Sequence, residues 1–295
     1  MKTFIVCLLA ISAHAELLPV AKPLESAANE RTYAYKNTPQ GELKVNVFLP
    51  EGWQPGQKHA AILMFFGGAW TNGSPTQFGT KAQYLASRGM VALTPEYRIK
   101  TRHQTTPRES CEDANSAIRW ARINASALGI DPDRIVASGG SSGGTCATLT
   151  ALSTSFEAAG EDLSVSSKPN ALVLYNPALA EPGAARVQAE VMTAWKVAKN
   201  EPPMIFFFGT NDQMLAASRE VAKQLVALGN RAEIYTAPGV GHGFFNDTTS
   251  TKNGVPGWHE AVLYQTDLFL TSLGYLSGKP TVKPDPEHSL TRDGL

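Results

Sequence analysis

Gly139-Gly140-Ser141-Ser142-Gly143-Gly144 sets two hydroxyls among glycines, directly after the apolar run Arg134-Ile135-Val136-Ala137. A serine hydroxyl attacks carbon poorly unless a base removes its proton. A tight turn between a strand and a helix is one of few settings that present it for attack. The neighbours must be small because that turn is strained and brings strand and helix backbones together. Backbone N–H groups at the start of the helix then face any negative charge that develops nearby. Two later loops supply the complementary types: Asp212 after Met204–Phe208, and His242 in Gly239-Val240-Gly241-His242-Gly243 after Ala232–Thr236. Imidazole is the side chain best matched to take and return a proton near neutrality, and a carboxylate fixes its tautomer and stabilises its cation. Ser141, His242 and Asp212 are therefore expected to act as nucleophile, base and orienting acid, in chemistry that needs neither metal nor organic cofactor. The spacing also fits Gly140-x-Ser142-x-Gly144; strand length and the trailing double glycine favour Ser141.

A third element is Phe66-Gly67-Gly68-Ala69-Trp70, after the unbroken apolar run 60–66. Gly67 and Gly68, with the N–H of Ser142, are the expected donors to a tetrahedral oxyanion, where losing one donor costs about 3–4 kcal/mol. Trp70 and Phe244-Phe245 are candidates for an aromatic wall around an acyl group or sugar ring, with core packing the alternative. His103 is a candidate for the site entrance.

These residues need strand ends to hold them. Tyr33 to Leu49 reads as a hairpin turning at Thr38-Pro39-Gln40-Gly41. Beyond it, helical segments 76–88, 108–128, 143–152, 214–228 and 258–273 alternate with strand-like 91–94, 135–138, 171–175, 204–208 and 232–236. Alternation of this kind predicts an α/β fold, a mostly parallel sheet with helices on both faces and functional groups beyond the strands' carboxyl ends. One catalytic domain over 16–277 and a Pro- and charge-rich, poorly ordered tail over 278–295 are expected. Glu96 and Arg98 read as a structural ion pair at a strand end.

At 295 residues and 43% hydrophobic content the chain can bury a large core. With 26 basic and 26 acidic residues and no basic stripe, nucleic acid and anionic membrane are not expected partners. Lys2, the apolar run Phe4 to Ile11 and Ala13-His14-Ala15 read as a secretory signal over 1–15, predicting a secreted or periplasmic protein. Lipidation at Cys7 is the weaker alternative, since Val6 stands where a small residue is expected.

The glycine-serine segment resembles the G-D-S-A-G-G elbow of bacterial hormone-sensitive-lipase-like carboxylesterases. Phe66-Gly67-Gly68-Ala69-Trp70 resembles their H-G-G-G-W motif, and Pro95-Glu96-Tyr97-Arg98 their D-Y-R segment, with Asp113 to Trp120 similar to the helix that follows. The chain order Ser, Asp, His agrees. The resemblance spans roughly residues 40 to 275 and implies an α/β-hydrolase fold and hydrolysis of carboxylic esters, in the branch that includes acetylesterases. Phe66 replaces the family's histidine, so the hydrogen bonds of that histidine are absent, and Ala69 replaces its third glycine. Glu16 to Glu30 is too short for the family's N-terminal cap, leaving the segment between Pro177 and Pro202 as a partial lid. In such a fold Cys111 and Cys146 begin helices on one sheet face and are candidates for a disulfide. Short acyl groups on a bulky alcohol, including carbohydrate esters, are the expected substrates. A prolyl-oligopeptidase-like peptidase and a non-catalytic binding module are the alternatives.

Overall fold

The computed structural model describes residues 16–181, 183, 188–248 and 254–295, and the expected signal over 1–15 lies outside them. In chain order the strands and helices are β1 (Glu16–Leu17), β2 (Glu25–Ser26), β3 (Glu30–Thr38), β4 (Gly41–Phe48), β5 (His59–Phe65), α1 (Gly79–Ser87), β6 (Val91–Pro95) and α2 (Lys100–His103). They continue as α3 (Pro107–Ile123), α4 (Ala125–Leu128), β7 (Ile130–Gly140), α5 (Ser141–Leu152), β8 (Ala171–Tyr175), α6 (Ala189–Met192), β9 (Met204–Gly209), α7 (Leu215–Ala227), β10 (Ala232–Ala237), α8 (Trp258–Ser272) and β11 (Thr291–Arg292). A 3-10 turn, Pro75–Phe78, precedes α1.

The strands form one sheet in the order β1-β3-β4-β6-β5-β7-β8-β9-β10-β11, with β2 also on β3. From β6 to β10 every pair is parallel, while β1 to β4 and β11 join antiparallel. In β5, Ala61, Leu63 and Phe65 face one core and Ile62 and Met64 the other, which is why the segment is apolar without alternation. Helices α3, α5 and α7 pack on the first face, and α1 and α8 on the second. The chain runs from β5 outward to β6, then back across β5 to β7, so the loops after β5 and β7 diverge at a switch point.

Several boundaries differ from the sequence reading. The helix expected over 108–128 breaks at Asn124 into α3 and α4, and Gly129 ends the second piece. Glu96 and Arg98 do not pair: Arg98 binds Asp113 (2.8 Å), and Glu96 faces Arg102 (3.4 Å). The last residues are no loose tail. β11 pairs with β10, Arg219 binds Asp293 (2.6 Å), and His288 packs edge-on against Trp258. Behind α3 lies a largely buried charge network in which Asp113 accepts from both Lys36 (2.7 Å) and Arg98, and Arg119 pairs with buried Glu161 and with Glu157 at its partly exposed edge. Burial alone would raise the Asp113 carboxyl, but the Lys36 and Arg98 cations together hold it below the usual carboxylate range.

Candidate active site

Ser141 sits at the junction of β7 and α5 with φ at 51°, a left-handed conformation that a side chain normally avoids. The turn is possible because Gly143 lies against the end of β5. A Cβ there would stand 2.2 Å from the carbonyl oxygens of Phe65 and Phe66. The Ser141 hydroxyl is half-exposed, whereas Ser142 is fully buried. His242 Nε2 is 2.8 Å from Ser141 Oγ, and its Nδ1 is 2.8 Å from Asp212 Oδ2. A carboxylate has no proton to give, so Nδ1 carries the hydrogen and Nε2 accepts from the serine. The imidazole is thus poised as a base toward Ser141 and not toward Ser142.

The acid and base loops are tied to one another. Asn211 N–H donates to the Val240 carbonyl (3.0 Å), Asn211 Nδ2 to the Gly239 carbonyl (3.0 Å), and Gly239 N–H to Thr210 Oγ1 (2.9 Å). Met214 N–H donates to Asp212 Oδ1 (2.9 Å), leaving Oδ2 for the histidine. Asp212 is buried, so the ion pair it forms with a protonated His242 gains from a reduced local dielectric. Asn176, at the end of β8, was not singled out from the sequence. Its Nδ2 lies 3.0 and 3.1 Å from the two ring nitrogens of His242, while its Oδ1 accepts from Gly243 N–H (3.4 Å). With Nδ1 protonated and the Nε2 lone pair turned to Ser141, that NH2 group packs against the ring without bonding either nitrogen. A polar residue ending an apolar strand was the only signal for it.

The oxyanion loop corrects one expectation. Gly67 N–H donates to Gln77 Oε1 (2.6 Å) and is committed there. The amides of Gly68 and Ala69, exposed at the tip of the loop, and of Ser142, in the first turn of α5, remain as donors. Gly68 has φ at 134°, and Ala69 and Trp70 follow at 54° and 56°, a run of positive-φ conformations that side chains normally avoid. In place of a histidine, Phe66 stacks on Tyr97 with ring centroids 4.1 Å apart, and Tyr97 Oη donates to the Phe66 carbonyl (2.5 Å). Stacking and one hydroxyl therefore brace this loop.

Three expected substrate contacts lie elsewhere. Phe244 is fully buried on the far core, edge-on to Phe245 and Trp258. Trp70 is buried in the other core, and its carbonyl accepts from Lys100 N–H (2.9 Å). His103 Nδ1 accepts from Ile99 N–H (2.9 Å), a bond that shapes α2; burial and Arg102 push its ring below the ordinary histidine value. The Cys111 and Cys146 sulfurs are 3.5 Å apart and both thiols are free, so the candidate disulfide is not formed, the separation being well beyond the ~2.05 Å S–S bond length. Burial pushes the Cys111 thiol well up, beyond any nucleophilic use near neutrality. The described part of the segment expected as a lid flanks the elbow: Ala178 N–H donates to the Ser141 carbonyl (3.1 Å), and Leu179, Ala180, Val191, Met192 and Trp195 are buried.

The BD-FAE family model matches residues 45–175. Esterase 2 of Thermogutta terrifontis, in a structure phosphorylated by paraoxon, is 37% identical, with 86% of this chain and 98% of that chain covered and a TM-score of 0.79. Its propionate-bound structure is 36% identical, covering 85% and 97% of the two chains, with a TM-score of 0.78. Among curated relatives, Esterase LipC of Mycobacterium tuberculosis is 30% identical over 218 residues, 63% of this chain. That match spans only 54% of LipC, about half the relative's length. Shared architecture and more than a third of identical residues over nearly the whole of a solved esterase settle the lineage: the chain belongs to the α/β-hydrolase carboxylesterases, in the hormone-sensitive-lipase-like branch.

Proposed function

We propose that the chain hydrolyses short-chain, acetyl-type esters through a covalent acyl-enzyme, and that residues 1–15 export it to act on acylated alcohols such as oligosaccharides or polysaccharides. The observation that carries the reading is the Ser141–His242–Asp212 relay, with 2.8 Å at each step, beside the Gly68, Ala69 and Ser142 amides. As Ser141 Oγ bonds to the ester carbon, its proton passes to His242 Nε2 and the carbonyl electrons move onto oxygen, where the amides receive them. Collapse of that intermediate expels the alcohol, which takes the proton from His242. Water, deprotonated by the same imidazole, then attacks the acyl carbon, and the released acid restores the serine.

Two features support a short acyl group on a large alcohol. The His242 side chain is 42% exposed and Gly68 and Ala69 face solvent, so the described surroundings leave room on the alcohol side. The Thermogutta enzyme binds propionate, a short carboxylate. The test is a panel of p-nitrophenyl esters from acetate to decanoate beside acetylated xylo-oligosaccharides and an aminoacyl anilide. Highest kcat/KM on acetate or propionate, with acetate released from the glycan, is expected. A maximum at eight carbons or more, or preference for the anilide, overturns the reading.

Gly68→Ala tests the donor assignment. A Cβ at that position would stand 2.1 Å from the Asn72 carbonyl oxygen, in a backbone region hostile to side chains, so the loop must shift. A loss of about 100-fold in kcat on p-nitrophenyl acetate is expected, the scale of one displaced oxyanion donor.

A further inference from the structure

Two side-chain amides connect the oxyanion loop to the histidine loop. Gln77 Oε1 accepts from Gly67 N–H (2.6 Å), and Gln77 Nε2 donates to Asn246 Oδ1 (2.8 Å). Asn246 Nδ2 in turn donates to the Gly243 carbonyl (2.9 Å), which Asn246 N–H also reaches (3.1 Å). The direction of the chain is set at its first link. An amide oxygen must face the Gly67 N–H, so the NH2 group faces Asn246, whose own oxygen must then point back. Flipping either amide would set oxygen on oxygen or N–H on N–H. The relay thus runs from the residue before Gly68 to the residue after His242.

Its base is rigid. Gln77 sits on the Pro75–Phe78 turn, and Phe78 stacks on Phe245 with centroids 6.1 Å apart. Fully buried Lys81 donates to the Phe245 carbonyl (2.8 Å) and lies 2.8 Å from His259 Nδ1. At the other end, Gly67 backs directly onto the elbow: a Cβ there would stand 3.2 Å from Ser141 Cβ.

We propose that Gln77 and Asn246 are positioning residues that set the spacing between the oxyanion donors and His242, so that the two loops act as one unit. The proposal rests on the serine-esterase reading above. Neither side chain touches the reacting atoms. Both act through backbone that does, where a displacement of about 1 Å can cost 100-fold in rate.

The test uses Gln77→Met and Asn246→Leu, which keep bulk and remove the amides, with their double variant. Each single variant is expected to lower kcat on p-nitrophenyl acetate about 10–100-fold with KM changed less than about threefold. Because one break opens the whole relay, the double variant should fall no more than about threefold below the weaker single. The ratio of kcat/KM on an aryl ester to that on its thionoester, which reads the fit of the oxyanion, should shift in both singles. A merely structural loss would lower the active fraction titrated by paraoxon and leave that ratio unchanged, which overturns the proposal. So does wild-type kcat in Gln77→Met, or multiplied losses in the double variant. If Asn246→Leu does not fold, Gln77→Glu takes its place. It keeps an acceptor for Gly67 and loses the donor to Asn246, and its kcat should fall between wild type and Gln77→Met, with wild-type kcat again overturning the relay. Ser141→Ala, assayed alongside, separates the two readings: turnover lost there but unchanged in Gln77→Met sinks the relay alone.

Discussion

Ser141→Ala is expected to hydrolyse p-nitrophenyl acetate roughly 10⁵–10⁶-fold more slowly than wild type while melting at an unchanged temperature. The hydroxyl is half-exposed and its main partner is the imidazole, so deleting it removes the nucleophile and opens no core cavity. Asp212→Asn should cost about 10⁴-fold, because an amide at that position favours the wrong imidazole tautomer. Ser142→Ala is the internal control: it keeps the backbone donor and loses only a buried hydroxyl, so activity should remain within about tenfold. A fluorophosphonate probe should label wild type and Ser142→Ala, and leave Ser141→Ala unlabelled. Retained turnover in Ser141→Ala, or labelling lost in Ser142→Ala alone, would move the chemistry to the neighbouring serine.

The second large effect concerns stability. Asp113→Ala takes the nearest carboxylate from two buried cations: Lys36 Nζ, 2.7 Å from it, and the Arg98 guanidinium, held by bonds of 2.8 and 2.9 Å, which keep only the longer contacts to Glu161 (3.6 Å) and Glu112 (3.5 Å). Removing one partner of a buried pair costs about 3–5 kcal/mol. At roughly 2–4 °C per kcal/mol the melting temperature should drop by about 10 °C, measured by calorimetry at neutral pH. The pH dependence carries a definite sign. The folded carboxyl lies below its unfolded value, so its contribution is complete above the unfolded pKa and is lost as pH falls through the folded one. The gap in stability between wild type and Asp113→Asn should therefore hold from pH 7 down to about 4, the ordinary aspartate range, and shrink below it. A gap that widens on acidification would contradict the ion-pair account.

The parts legible in the sequence were those set by short-range patterning. The run 60–66 declared a strand covered on both faces, and Ser141, Asp212 and His242 each follow such a run, where topology brings loops together. What escaped depends on side-chain direction and on partners distant in the chain. Gly67 looked like an oxyanion donor because its acceptor, Gln77, arrives through a turn that spacing alone does not reveal. Trp70 and Phe244 flank the site in sequence, yet backbone rotation sends both rings into the cores. Lys36 sits on a strand where alternation would point it to solvent. A bulge between Ala34 and Lys36 turns it inward beside Tyr35, and so gives Asp113 its partner. Proline and charge made the last residues look unattached, but Asp293 and β11 find partners on α7 and β10.

The two rims of the sheet repay a last look. On one side β1 and β2, each two residues long, share the flank of β3; on the other, two-residue β11 covers β10. Among the described residues neither rim presents a long, straight ladder of unpaired amides and carbonyls, the feature through which twisted sheets recruit strands from other molecules. A few residues near each end of the described chain thus act as hems, shielding a wide fabric of apolar strands from its neighbours in a crowded solution.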